Sequence, residues 1–292
     1  MTNKDSLGDR MKENYEGRFK FKLMRRTPVI VRIDGKAFHT FTRGFNKPFD
    51  RVLSNAMDRT MYQLCENIQG CVFGYTQSDE ITLILNDYKT FETSAWFDYE
   101  IQKICSIAAS MATAYFNKNF FNEVERFYEF MNDENFTEEK LKEYYFVDNY
   151  DVALKLYDKY SKAIEKMAMF DARCFNIPES DCTNCIVWRQ QDASRNSVEM
   201  VGRTYFSDKE LFKKNCSNIQ DMLMEKHNVN WNDFPVRYKR GCACYKMNIT
   251  ENETERSKWV VDYDMPIITQ DREYVEKWIK LNNDENKKKT DY

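Results

Sequence analysis

The stretch Thr27-Pro28-Val29-Ile30-Val31-Arg32-Ile33-Asp34-Gly35 alternates apolar residues and ends on a carboxylate and a glycine. Side chains along a strand alternate with a period of two, so Val29, Val31 and Ile33 share one face while Ile30, Arg32 and Asp34 share the other. A buried strand is predicted, with a cation and a carboxylate side by side near its exit. Further on, Cys71-Val72-Phe73-Gly74-Tyr75 and Ile81-Thr82-Leu83-Ile84-Leu85 read as two strands joined by the polar tetrad Thr76-Gln77-Ser78-Asp79, a hairpin with an acid in its turn. Between them Leu53, Ala56, Met57, Met61, Leu64 and Ile68 recur at helical spacing. The order strand, helix, hairpin returns Asp79 to the neighbourhood of Asp34. Taken singly, Asp-Gly and Ser-Asp are ordinary turn formers. Together at neighbouring strand ends, they suit a divalent cation held against a triphosphate, and the pattern points to nucleotide transfer.

The runs Arg32-Ile33-Asp34-Gly35-Lys36-Ala37-Phe38-His39, Asn46-Lys47-Pro48-Phe49-Asp50 and Gly74-Tyr75-Thr76-Gln77-Ser78-Asp79-Glu80 resemble the signature blocks of the tRNA-His guanylyltransferase family, including its guanylyltransferase-like 3′-to-5′ RNA polymerases. Later runs Phe170-Asp171-Ala172-Arg173, Trp188-Arg189-Gln190-Gln191-Asp192 and Tyr238-Lys239-Arg240-Gly241 resemble further blocks in the family's order, so the resemblance spans residues 10–245. It implies an α+β fold with a polymerase-palm-like antiparallel sheet, a ferredoxin-like βαββαβ core flanked by helices. It also implies a catalytic set of Asp34, Asp79 and Glu80, with two Mg²⁺ ions held by Asp34, the backbone carbonyl of Gly35, and Asp79. Glu80 points away from Asp79 if the strand has begun, which gives it a nearby role rather than direct ligation. Nucleotide contacts are implied at Arg32, Lys36, Ala37, Phe38, His39, Lys47, Ser78 and Lys103. RNA contacts are expected at Arg189, Arg195, Asn196, Lys239 and Arg240, with Arg203 a further candidate.

Two departures from the family pattern bear on function. Tyr99 and Glu100 stand where members carry a basic pair ahead of the position of Lys103, which moves some triphosphate contacts elsewhere. After Asp192, eukaryotic members that add guanosine to tRNA-His carry His-Ile-Asn-Asn, whereas this chain reads Ser194-Arg195-Asn196-Ser197. The altered motif resembles the bacterial and archaeal branch, whose members repair 5′-truncated tRNAs against a template. The resemblance then implies ATP-dependent activation of the RNA 5′ end, attack by the 3′-hydroxyl of a nucleoside triphosphate such as GTP, a tRNA partner and a homotetramer. The carboxylates alone leave forward polymerase and nucleotide cyclase open. Single guanosine addition to tRNA-His and a non-catalytic RNA-binding module are the alternative readings.

Composition bounds these readings. The chain has 292 residues, 42% hydrophobic and 15% aromatic, ample for a sizeable core without staples. No apolar run of about 18 residues exists, and the polar start Met1-Thr2-Asn3-Lys4-Asp5 argues against secretion, so a cytoplasmic protein is expected. Two histidines, His39 and His227, exclude most multi-histidine zinc sites, and no P-loop or Gly-x-Gly-x-x-Gly cradle is present. Nine cysteines point to reduced thiols; Cys182 and Cys185 with Cys242 and Cys244 make a zinc site conceivable, but buried small residues are the preferred reading. A net charge of −3 requires any RNA contact to be local. Basic residues cluster at Arg18, Lys20, Lys22, Arg25 and Arg26, and again at Arg237, Lys239 and Arg240.

The chain reads as one catalytic unit over 1–280, with a palm-like core at about 25–180, a helical insertion at about 119–168, a helical RNA-contacting part at about 181–280 and a flexible tail at 281–292. Helices are expected over 94–118 and, from the capping pair Ser207 and Glu210, over 207–226. Strands are expected over 170–177, 241–247 and 259–263. The insertion is acidic and aromatic and lacks Gly and Pro, which places it on the outside or against another subunit. Trp188 is expected to pack in the core, and His227 to be ordinary surface.

Overall fold

Val29, Ile30, Val31 and Ile33 are wholly buried, and they form β1 (Val29–Gly35) inside a six-stranded antiparallel sheet. In this computed structural model, which describes residues 6–90, 92–251 and 254–280, α1 (Ser6–Asn14) leads into β1. One turn of helix, α2 (Phe38–Phe41), and α3 (Arg51–Asn67) precede β2 (Cys71–Gln77) and β3 (Glu80–Leu85). Helices α4 (Ile101–Met131), α5 (Glu138–Tyr145) and α6 (Tyr150–Lys166) lead to β4 (Phe170–Asn176). Next come α7 (Glu179–Tyr205), α8 (Asp208–Leu211), α9 (Cys216–His227) and α10 (Val236–Arg240). The hairpin β5 (Cys242–Glu251) and β6 (Thr254–Asp262) and then α11 (Glu273–Ile279) complete the described chain.

The sheet runs β4-β1-β3-β2-β5-β6. Its first four strands, with α3 and α4 on one face, are the expected ferredoxin-like βαββαβ core. The alternation in β1 sorts its residues as the sequence requires. Val29, Val31 and Ile33 join Ile81, Leu83 and Leu85 against Met57, Met61 and Leu64 of α3 and Ile104, Ala108 and Phe116 of α4. Ile30 and Ile84 lie on the other face with Phe73 and Tyr75, under Cys182, Cys185 and Ile186 of α7 and Val275 and Ile279 of α11. A one-residue slip would turn both sets inside out, so the register of β1 on β3 is fixed by burial. Gly241 stands at φ +81°, where a Cβ would strike the carbonyl oxygen of Thr76, so β5 meets β2 at a position only glycine fills without strain.

Several elements differ from the sequence expectation. The long helix starts at Ile101 rather than 94, because Phe97, Asp98 and Tyr99 have positive φ (50°, 50° and 56°) and break the approach into a 3₁₀ turn. It also continues to Met131, since Phe116, Phe120, Val124 and Phe127 extend its buried stripe. The 119–168 segment is no outer appendage: Leu141, Val147, Leu156 and Tyr160 are buried in the same cluster as the sheet. The helix expected over 207–226 is two, because Asn215 and Asn218 form a second capping box behind that of Ser207 and Glu210, and Lys213 takes φ 59° between them. The β5–β6 ladder reaches Glu251 and Thr254, well past the apolar residues that announced it. The 281–292 tail lies outside the described residues.

Charge is also buried for structure. Arg237 of α10 lies 2.6 Å from Asp58 of α3, both almost wholly buried, and the Cys242 thiol donates to the same carboxylate at 3.2 Å. Removing one partner strands the other in a low dielectric. Asp58→Ala is therefore expected to cost about 3–5 kcal/mol in urea unfolding, and Asp58→Leu with Arg237→Met to recover most of it. Equal stability of Asp58→Ala and the parent would contradict this.

Candidate active site

Antiparallel pairing places Asp34 of β1 opposite Glu80 of β3, and the Gly35 amide donates to the Asp79 carbonyl at 3.1 Å. Asp79, in the hairpin turn, thus lies beside the exit of β1. Ser78 occupies the left-handed region (φ 49°) to close the turn, and its hydroxyl donates to Asp79 Oδ1 at 3.0 Å. Gly35 is required by proximity, since a Cβ there would run into the Phe38 ring. Burial pushes the Asp79 carboxyl up to about 6; the Ser78 hydrogen bond opposes this, and the nearby charges of Asp34 and Glu80 add to it.

Glu80 behaves differently from its neighbour. Arg32 approaches one of its oxygens at 2.5 Å and Arg189 of α7 lies 3.1 Å from the same oxygen. Its charge is compensated on the spot, so Glu80 fastens α7 to the sheet. Both arginines lie over the Trp188 ring, at 4.9 and 4.2 Å. Trp188 itself is 51% exposed, contrary to the expectation of core packing, because it covers these guanidinium groups rather than filling a gap between layers. Asp34 has a looser partner in Arg173, at 3.7 Å, which also holds Asp171 at 3.1 Å.

A cleft of about 750 Å³ opens beside the turn, between α2, the loop after it, and the middle of α7. It brings together Gly35, Ala37, Phe38, His39, Lys47, Ser78, Asp79 and Asn196 of the sequence candidates, and Arg203. Phe38 fixes the floor by packing on Phe41, Phe116 and Phe170 at 5.1–5.4 Å. Ala37, left-handed at φ 54°, starts α2; its carbonyl takes the amides of Thr40 and Phe41, while those of Phe38 and His39 have no acceptor among the described residues. Arg43 and Asn46 were missed as cleft residues. Their signal lay inside or between the matched blocks, but which loop atoms turn inward is set by distant contacts.

Other candidates lie elsewhere. Arg32 is bound to Glu80, and Lys103 is exposed near Glu100 and the Phe97 ring, away from the cleft lining. The Lys36 amide is tied to the Met169 carbonyl at 2.8 Å. Lys239 is a correction: it is buried and donates to the Asn232 carbonyl at 2.5 Å, so it offers no free cation to RNA. Arg240 is half-buried beside it. Arg189 is buried against Glu80 and Asp192, whereas Arg195 is exposed and paired with Asp192. The first basic cluster is likewise engaged, Lys20 by Glu16, Lys22 by Asp98 and Arg25 by Asp87.

Asp34, the Gly35 carbonyl and Asp79 could hold a hard divalent ion, leaving its remaining positions for water and phosphate oxygens. No group of three or more His, Cys, Asp or Glu side chains among the described residues forms a metal cage. Cys182 and Cys185 lie on the opposite face of the sheet from Cys242 and Cys244, so the four do not form one set.

A family model of tRNA-His guanylyltransferases matches residues 8–178. The chain belongs to that family. It is a guanylyltransferase-like nucleotidyltransferase. A bacterial tRNA(His) guanylyltransferase (Thg1)-like protein in complex with ATP is 40% identical, with a TM-score of 0.73 over 95% of this chain and 100% of that one. An uncharacterized protein of Acanthamoeba polyphaga mimivirus is 28% identical over 87% of this chain and 81% of its own length. A probable tRNA(His) guanylyltransferase of Dictyostelium discoideum is 26% identical over 80% of each. The yeast enzyme, 18% identical with a TM-score of 0.57, shares the fold.

For the family site, the raised Asp79 pKa has a signed consequence. Its folded value of about 6 lies above the ordinary 3.8, so the metal-free fold is favoured by protonation and loses stability as pH rises through that window. Asp79→Asn is expected to raise the metal-free melting temperature by a few degrees at pH 7.5 and by much less at pH 4. A lower melting temperature for the variant at pH 7.5 would contradict the assignment.

Proposed function

We propose that the chain is a template-dependent 3′-to-5′ nucleotidyltransferase that adds nucleotides to the 5′ end of tRNA, repairing truncated molecules. The observation carrying this reading is a cleft lined by Gly35 and Asp79 and furnished with Arg43, Lys47 and Arg203, with Asp34 next to Gly35 on β1. The similar bacterial proteins whose structures hold ATP and GTP support a triphosphate as its occupant.

The donor set suits Mg²⁺, which prefers oxygen ligands and retains positions for phosphates. When bound, two such ions supply alignment of the attacking and leaving oxygens and neutralise developing charge. The protein's own residues do the rest. Asp34 and Asp79 present the carboxylates, and Ser78 holds the second by its hydrogen bond. Lys47 and Arg43 neutralise the phosphates, and the amides of Phe38 and His39, which have no acceptor among the described residues, help orient them; positioning and electrostatics are where phosphoryl transfer gains most of its rate. Glu80, clamped by Arg32 and Arg189, keeps the turn and α7 in a fixed relation.

The RNA 5′-monophosphate is activated by ATP, unless it already carries a triphosphate. The 3′-hydroxyl of the incoming nucleotide then attacks, and AMP or pyrophosphate leaves. The direction of synthesis is supported by family membership alone. Repair is favoured over addition of a single 5′ guanosine to tRNA-His by the altered motif Ser194-Arg195-Asn196-Ser197, whose last two residues line the cleft. Arg195 and Arg203 on α7 are the cations proposed for RNA. No described helix is long and apolar enough to cross a membrane. The proposed enzyme is a cytoplasmic homotetramer whose subunit is a single catalytic unit over 1–280.

With Mg²⁺, ATP and GTP, the protein is expected to extend 5′-truncated tRNAs of several identities. Asp34→Ala and Asp79→Ala are expected to lower the rate on the order of 100-fold or more while remaining folded. Wild-type rates in both would remove the metal assignment. Addition confined to full-length tRNA-His would leave the guanosine-addition reading instead.

A further inference from the structure

The 119–168 segment runs out along α4 and returns into β4, and each of these elements carries a cysteine where the two lie side by side. Cys105 of α4 and Cys174 of β4 stand 69 positions apart in sequence, yet their Sγ atoms are 3.6 Å apart. Both are free thiols and both are partly exposed. Cys174 pairs with Val31 across the sheet and packs on the α4 side, where its sulfur also lies 3.9 Å from the Ile101 carbonyl oxygen. Cys65 likewise has cysteine neighbours, Cys71 and Cys244, but it is 1% exposed and out of reach of a reagent.

The segment between these two cysteines holds one wall of the cleft. The Asn46 side-chain amide donates to the carbonyls of Tyr145 and Phe146, at 3.2 and 3.0 Å. Asp50 Oδ2 accepts the Tyr160 hydroxyl at 2.6 Å. A covalent tie at the base of the segment joins the two elements from which these contacts hang.

We propose that Cys105 and Cys174 are a site of reversible disulfide formation, with a small-molecule disulfide as the oxidant, and that the bond closes the base of the insertion. A disulfide is about 2.05 Å long, so the sulfurs have about 1.5 Å left to close, within the sweep of the two side chains. Burial pushes the Cys174 thiol up to about 12, with Cys105 adding to it, so Cys174 is protonated at neutral pH and acts second. The Cys105 thiolate attacks one sulfur of the reagent, forming a mixed disulfide and expelling one thiolate. Cys174 Sγ then attacks Cys105 Sγ and expels the other. Two protein thiols are oxidised to one S–S bond, the reagent is reduced to two thiols, and the two cysteine protons end on them. The inference is independent of what occupies the cleft.

The full chain, incubated with oxidised glutathione and digested without reductant, tests it. The parent is expected to yield a peptide joining Cys105 to Cys174, with intact mass lower by two hydrogen atoms and no glutathione retained. Dithiothreitol is expected to reverse this. Closing so long a loop constrains the unfolded chain, so the oxidised parent is expected to melt roughly 5–10 °C above the reduced one. Cys174→Ser is expected to keep one glutathione on Cys105 and to show no such rise. A parent whose Cys105 and Cys174 remain titratable, or retain glutathione without joining, overturns the site. A bond that forms with no change in melting temperature overturns its role at the base of the insertion. Absence of glutathione on Cys105 in Cys174→Ser overturns the order of attack.

Discussion

The antiparallel register of β1 against β3 holds Asp34 opposite Glu80 and sets Gly35 within hydrogen-bond reach of the turn that carries Asp79. Burial of Val31, Ile33, Ile81 and Leu83 on one face maintains that register against the repulsion it creates. The repulsion is then distributed unequally. Glu80 is neutralised by two arginines, Asp34 has one exposed partner at 3.7 Å, and Asp79 is left with a hydroxyl and a raised pKa. A cation bound beside the turn would relieve this repulsion.

The rest of the molecule is arranged about this turn. The helix α7 is fastened to the sheet through Arg189 and Glu80, and its middle forms one wall of the cleft. The opposite wall, carrying Lys47, Asn46 and Asp50, is fastened by the insertion. A protein of net charge −3 therefore concentrates cations where phosphates would sit, while many other basic residues are spent in ion pairs. Overall charge says little about such a site, since charges separated by more than about 8–10 Å in solution are screened from one another.

The chain's sequence carried the turn and its two strands plainly, because period-two burial and terminal acids are local signals. Asp34 and Asp79 were legible as strand-end acids for that reason, whereas Gly35 and the run from Ala37 to His39 were implied by the family resemblance alone. What escaped depended on partners distant in sequence. Arg32 and Lys239 announced themselves as cations, yet Glu80 and the Asn232 carbonyl claimed them. Trp188 read as core, but two guanidinium groups gave it a place at the surface. The positive φ values of Phe97, Asp98 and Tyr99 left no mark in the apolar pattern, and the outer β5–β6 ladder is held by backbone bonds without alternating apolar residues. Asn46 stood inside a recognised block, but its bonds to the distant carbonyls of Tyr145 and Phe146 left no local mark.

Anomalous scattering from a crystal of the protein grown with Mn²⁺ and a non-hydrolysable triphosphate would locate the cations without reference to activity. Two peaks about 4 Å apart, bracketed by Asp34 and Asp79 and touching the phosphates, are the expected result. Peaks bound elsewhere, or a triphosphate seated with no metal at these two carboxylates, would show that the turn does not do the work assigned to it.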